Sequence, residues 1–132
     1  MQSRKGCDIN NIRTLHCKVA EKGVDVMDKS QLMKGILESC ILKIIEKYET
    51  YGYEIVVQLQ NYGFGDMKEG TIYPLLLRLE KKNLITATFK ESPLGPKRKY
   101  YSLTPEGKEY VDKFHLVWKE ITDSVEKIFE EV

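Results

Sequence analysis

The residues of this 132-residue chain best suited to chemistry are cations and a few polar neighbours rather than catalytic groups. Lys97, Arg98 and Lys99 stand in a row, and closely spaced cations can hold successive phosphates of a nucleic-acid backbone. Thr71, Pro74, Arg78 and Lys81 recur at intervals of about one helical turn, so on a helix they share a face. There Arg78 can reach a phosphate or pair bidentately with guanine. Thr71 and the backbone N–H groups near Gly70 can meet phosphate or base edges from a helix N-terminus. Nothing comparable suggests catalysis. No nucleophile elbow, P-loop, dinucleotide fingerprint or HExxH is present, and His16 and His115 lie in an unpatterned stretch and on a helix respectively. Cys7, His16 and Cys17 lack the paired spacing of a zinc site, so neither a metal nor another cofactor is expected.

Bulk charge does not explain nucleic-acid binding, because 21 Lys and Arg against 20 Asp and Glu leave a net charge of +1. The charge is local. Lys90, Lys97, Arg98 and Lys99 face only Glu91 between positions 90 and 99, whereas Glu120, Asp123, Glu126, Glu130 and Glu131 outnumber Lys119 and Lys127 near the end. Hydrophobic residues make up 42% of the chain, but no apolar run approaches the ~18–20 residues that cross a bilayer. The first residues are basic without an apolar stretch behind them, which does not read as a secretory signal. Three cysteines at irregular spacing suit a reducing compartment, and a cytoplasmic location is expected.

These residues need elements to position them. Residues 1–28 are polar and without sustained periodicity, and read as an extension. From Ser30 to Tyr48 adjacent apolar pairs recur every three to four positions, predicting a helix with a wide apolar face. Tyr51-Gly52-Tyr53 breaks it, and Glu54–Gln60 forms a second helix ending at Asn61, Gly63 and Gly65. Ile72, Leu75, Leu76 and Leu79 then fall at i, i+3, i+4 and i+7, with Pro74 expected in or near the first turn and Asn83 at the C-terminal cap. The period next changes to two. Ile85–Phe89 and Lys97–Leu103 read as strands around a Ser92–Pro96 loop, a hairpin with a basic tip. Thr104 caps a last helix that Pro105 opens. Along it Val111, Phe114, Trp118, Ile121, Val125, Ile128 and Val132 step by alternating threes and fours, a heptad seam that needs another helix, most simply a second copy. The predicted fold is mostly α with a two-stranded β-wing, a winged helix-turn-helix over 29–104 followed by a long dimerisation helix over 105–132.

Three stretches carry a more specific resemblance: Tyr51-Gly52-Tyr53-Glu54-Ile55, the run Glu69-Gly70-Thr71-Ile72-Tyr73-Pro74-Leu75-Leu76-Leu77-Arg78-Leu79-Glu80, and Gly95-Pro96-Lys97-Arg98-Lys99-Tyr100-Tyr101-Ser102-Leu103-Thr104 with Gly107. In this order and separation they resemble the PadR family of bacterial transcriptional regulators, over about residues 30 to 132. The resemblance implies a homodimeric winged-helix repressor that dimerises through its last helix, and two-fold symmetry then predicts an inverted-repeat operator on double-stranded DNA. It also implies that Tyr53 and Tyr73 touch phosphate through their hydroxyls, although both could simply pack with a wet tip. Trp118 lies at a spacing from Gly107 similar to that of a tryptophan in a lactococcal multidrug-sensing member, where paired indoles stack on flat aromatic effectors. Two readings of Trp118 stand: a slot for a planar aromatic, or dimer-core packing. Arg78 could instead pair with a neighbouring carboxylate. A winged helix used as a protein–protein adaptor is the alternative function, and steep salt dependence of binding separates it from DNA recognition.

Overall fold

The computed structural model describes residues 32, 33 and 35–130. The extension read over 1–28, with Cys7, His16 and Cys17, and the final seam position Val132 lie outside them. Gly35–Val117 forms one compact unit, and the described residues outside it, including those from Trp118 to Glu130, belong to a second.

Helix α1 (Leu37–Lys47) begins later than the apolar pattern suggests, because Gly35 takes a left-handed φ of 81° that interrupts a right-handed helix. Leu37, Ile41, Leu42, Ile44 and Ile45 are buried along it. The break after α1 is itself a strand: β1 (Thr50–Tyr51) leads directly into α2 (Gly52–Asn61), whose Ile55, Val56 and Leu59 complete one wall of the core. Helix α3 (Glu69–Lys81) contributes Ile72, Leu76 and Leu79, all fully buried.

Both α2 and α3 end in the same hydrogen-bonded cap. After α3, Asn83 adopts φ 65°, its N–H donates to Glu80 O at 3.0 Å, and Leu84 N–H donates to Leu79 O at 3.1 Å. This is the Schellman pattern, and it confirms Asn83 as the residue that stops the helix. Pro74 is a correction. It is the sixth residue of α3 rather than a first-turn residue, and so removes the hydrogen bond that Gly70 O would otherwise accept. The helix extends back to Glu69 nonetheless, because Ile72 has to reach the core from its first turn.

The hairpin comprises β2 (Ile85–Ser92) and β3 (Gly95–Leu103), and its strands run closer to the tip than the composition of the loop implies. Only Pro93 and Leu94 connect them. Pairing runs antiparallel from Ile85 with Leu103 through Phe89 with Lys99, with an irregularity between Lys90 and Ser92. β1 adds a third strand on the far side of β3, pairing Thr50 with Tyr101 and Tyr51 with Tyr100, so the sheet order is β1-β3-β2. Two residues of β1 are too few for an alternating pattern, and the sequence predicts only the two-stranded wing.

Helix α4 (Pro105–Glu130) starts as expected. Thr104 Oγ1 accepts from Gly107 N at 2.9 Å and donates to Asn83 O at 2.7 Å, joining the cap of one helix to the end of another. Gly107 is required there by space: a Cβ would stand 2.2 Å from Leu84 O and 2.8 Å from Leu103 Cδ1. Lys108 reaches Glu46 at 2.6 Å and Asp112 at 3.2 Å, tying the opening of α4 to α1. Val111 is buried in this chain's own core at 5% exposure, so the opening turns of α4 belong to the winged-helix unit and Val111 is not free to start an intermolecular seam.

Candidate nucleic-acid interface

Helix α3 divides its residues by face. Opposite the buried Ile72, Leu76 and Leu79, the residues Gly70, Thr71, Pro74, Arg78 and Lys81 are exposed. The helix opens at Lys68, whose backbone is extended and whose side chain makes no cap bond. Thr71 N–H and Ile72 N–H both turn back to Lys68 O, at 3.0 and 3.2 Å. Glu69 in this first turn complements the helix dipole, and it also places a carboxylate where a phosphate would approach.

Arg78 is committed to a partner within the fold. Its Nε donates to Glu38 Oε2 at 2.7 Å and its Nη2 lies 2.6 Å from the same oxygen, while Lys82 Nζ stands 3.7 Å from Glu38 Oε1. Glu38 is buried at 7% exposure on α1, whereas the Arg78 side chain is 59% exposed. The arginine therefore ties α3 to α1 and is already paired before any nucleic acid arrives. The sequence does carry a signal for this. Glu38 occupies the first position of the i, i+3, i+4, i+7 stripe completed by Ile41, Leu42 and Ile45, and a carboxylate on a buried stripe requires a cation.

The remaining side of α3 faces the sheet. Tyr51, Gly52, Tyr73, Leu77, Arg98, Lys99 and Tyr101 surround a cleft of about 360 Å³ between α3 and the wing. Gly52 is the reason Tyr73 can lie there: a Cβ at Gly52 would come within 2.4 Å of the Tyr73 ring. Burial raises the Tyr73 hydroxyl's pKa, with the Glu69 charge acting in the same direction. Tyr101 is buried deeper, and burial likewise raises its pKa. Tyr53, on the opening turn of α2, is 54% exposed.

The three cations of β3 occupy different settings. Lys99 bonds Glu80 of α3 at 3.1 Å, an interaction that raises its pKa and holds the wing against the helix. The Arg98 guanidinium stacks 4.6 Å from the centre of the Tyr51 ring. Lys97 stands 3.7 Å from Glu91, both well exposed, so that pair is screened and weak. Glu80, Gly52 and Tyr51 escape a reading by residue type, since a carboxylate, a glycine and an aromatic ring only acquire these roles once β3 is placed against α3.

On α4 the other seam residues are exposed in varying degree. Phe114 is half-buried, Trp118 is 39% exposed, and Ile121, Val125 and Ile128 are 52%, 42% and 69% exposed. Among the described residues there is no cluster suited to a metal, and no helix is long and apolar enough to cross a membrane.

Three helices and a β-wing, with a polar helix face beside a row of cations, define a winged helix-turn-helix, the class that places its third helix in the major groove of duplex DNA. The PadR-like transcriptional regulator family model matches residues 41–113. An uncharacterized protein of Lysinibacillus sphaericus is 36% identical over 106 residues, covering 79% of this chain and 97% of the relative. A PadR-like transcriptional regulator from Bacillus cereus is similar in structure, with TM-score 0.71, 46% identity and coverage of 77% of this chain and 99% of its own. A Streptococcus transcriptional regulator follows at TM-score 0.68 and 48% identity, covering 74% and 96%. The chain belongs to the PadR-like family of transcriptional regulators, which are DNA-binding proteins rather than enzymes.

Proposed function

We propose that this regulator is a homodimeric, sequence-specific repressor that sets two winged-helix units on an inverted-repeat operator. The observation that carries the dimer is the exposed heptad series Ile121, Val125 and Ile128 on α4. Burying what is still exposed of each such side chain is worth roughly 1–2 kcal/mol, and a two-fold axis is the closed arrangement that covers identical faces. Residues 29–104 with the first turns of α4 act as the reading head, and the rest of 105–132 as the dimerisation element. Two-fold symmetry sets the half-site centres roughly 34–36 Å apart, or a multiple.

On each half-site, Gly70, Thr71 and Pro74 line the entering face of α3, Lys97 and Arg98 meet phosphates, and the Tyr53 and Tyr73 hydroxyls approach the backbone. Arg78 supports α3 through Glu38. Trp118 lies on the same α4 as the seam, and a planar aromatic held between the indoles of two copies is the effector this reading names.

The test combines sedimentation with duplex selection. Wild-type protein is expected to sediment as a dimer, Ile128→Glu as a monomer, and only the dimer to enrich palindromic sites from a randomised duplex library. Trp118 is the chain's one tryptophan, so quenching by a planar aromatic reports on it directly. A wild-type protein that stays monomeric at high concentration, or that enriches no palindrome, overturns the proposal.

A further inference from the structure

We propose that Leu94, at the tip of the wing, enters the minor groove as an apolar wedge at an easily unstacked base step, an inference that rests on the operator-binding reading above. Leu94 is 99% exposed, more than any other large hydrophobic residue among those described. It forms, with Pro93, the whole connection between β2 and β3. Exposed leucines on surfaces are common and need no function; the surroundings of this one are what distinguish it.

Ser92, Pro93, Leu94, Gly95 and Pro96 carry no charge, so the end of the hairpin does not have to be solvated by water or paired with phosphate. Behind it the first charge on β3 is Lys97, while on β2 Glu91, 3.7 Å from Lys97, precedes Lys90. Lys90 and Arg98 are cross-strand partners, and Lys97 lies one residue nearer the tip. With a rise of ~3.3 Å per residue, Lys97 sits about 10 Å and the Lys90–Arg98 pair about 13 Å behind Leu94 at full extension. The minor groove is about 7.5 Å deep and about 6 Å wide. A neutral two-residue tip fits that slot, while the cations behind it come level with the phosphates on the two walls. Pro93, in the turn, and Pro96, in β3, fix their backbone φ and stiffen the tip before binding. Proteins that enter this groove commonly insert Leu, Phe, Ile, Met or Pro between base pairs, and pyrimidine–purine steps yield most readily. Leu94 would therefore add sequence preference at a position where no hydrogen bond is made.

The experiment uses the full chain and a duplex enriched by the wild-type protein from a randomised library, with 2-aminopurine placed at the step protected by the wing. Leu94 is solvated on nearly every side, so Leu94→Ala leaves folding unchanged. The expected result is an affinity about ten-fold lower, equal to ~1.4 kcal/mol, with an unchanged slope of log affinity against log salt and loss of the 2-aminopurine brightening seen with wild type. Lys97→Ala serves as the contrast and lowers the slope by about 0.9. Wild-type affinity in Leu94→Ala overturns the wedge while leaving operator binding intact, as does a loss accompanied by a flatter salt slope. A wild-type protein that enriches no duplex overturns the operator-binding reading and the wedge with it.

Discussion

Arg78→Ala and Glu38→Gln remove the two halves of one ion pair, and the structure predicts that they are not equivalent. Arg78 contributes two contacts, at 2.7 and 2.6 Å, to a single oxygen of a carboxylate that is 7% exposed. Removing the arginine leaves that carboxylate buried, with Lys82 at 3.7 Å as its remaining cation among those the pair involves. Breaking a buried pair costs ~3–5 kcal/mol, but the Arg78 side is 59% exposed and solvent screens part of the interaction. About 2 kcal/mol is the resulting expectation for Arg78→Ala. Removing the charge from Glu38 instead leaves a guanidinium that can turn to water, and should cost about 1 kcal/mol. For a unit of this size 1 kcal/mol shifts the midpoint by ~4–8 °C. Thermal unfolding at fixed protein concentration should therefore place Arg78→Ala about 8–16 °C below wild type and Glu38→Gln about half as far. The double variant should lie above the sum of the two losses, since the two groups are coupled. DNA binding provides the second reading: with Arg78 acting on α3 rather than on phosphate, the salt slope of Arg78→Ala at a temperature where it is folded stays at the wild-type value. An Arg78→Ala protein with wild-type stability and a slope lowered by about 0.9 would refute the assignment and make Arg78 a direct phosphate contact.

Gly107→Ala should lose ~1–3 kcal/mol, because the new methyl meets backbone at Leu84 O, 2.2 Å away, while Gly70→Ala, which lies in α3 and meets nothing within 4 Å, should melt at or a few degrees above wild type. Calorimetry on the pair checks that close approach, not glycine itself, is what matters at Gly107. Glu46 titrates below the usual carboxylate range because Lys108 and then Lys43 bond it, and Glu49 does so because of Lys90 and then Ser102. A carboxylate with a lowered folded pKa stabilises the fold above its unfolded pKa, and this contribution disappears as pH falls through the folded value. Denaturation midpoints should accordingly drop on the acid side of the ordinary carboxylate range, and the drop should be shallower in Glu46→Gln; identical acid limbs in the two proteins would count against the Glu46–Lys108 link.

The parts of this fold that repeat locally are the parts legible in the sequence. The stripes Ile41, Leu42, Ile45 and Ile72, Leu76, Leu79, the Thr104-Pro105 start and the Asn83 stop each depend on residues within a few positions of one another, and each lies where the pattern places it. Elements defined by distant partners were not legible. β1 exists because Thr50 and Tyr51 find Tyr101 and Tyr100 about fifty residues away. Pro74 sits in the second turn because the core, not its missing N–H, decides where α3 begins. Val111 keeps the heptad spacing of the seam, yet spacing alone does not distinguish a neighbour in the same chain from one in another. For the site, residue type located the cations correctly on α3 and the wing, but their partners Glu38, Glu80 and Tyr51 are set by packing.

Those internal partners change what the basic surface can contribute to binding. From Glu69 to Lys99 seven cations stand against three carboxylates, and in α4 four stand against seven, so positive charge is concentrated in α3 and the wing and negative charge along α4. Yet Arg78, Lys82, Lys90, Lys97 and Lys99 all lie within ion-pair distance of a carboxylate, and Arg98 rests on an aromatic ring. A cation held this way is already oriented, which lowers the entropy lost on contact, but each one that turns to a phosphate leaves a carboxylate beside the duplex. The electrostatic gain per cation is therefore smaller than the residue count implies. On the operator-binding reading proposed above, discrimination between sequences would then rest on the contacts that involve no exchange: the small exposed residues at the start of α3 and the neutral end of the wing.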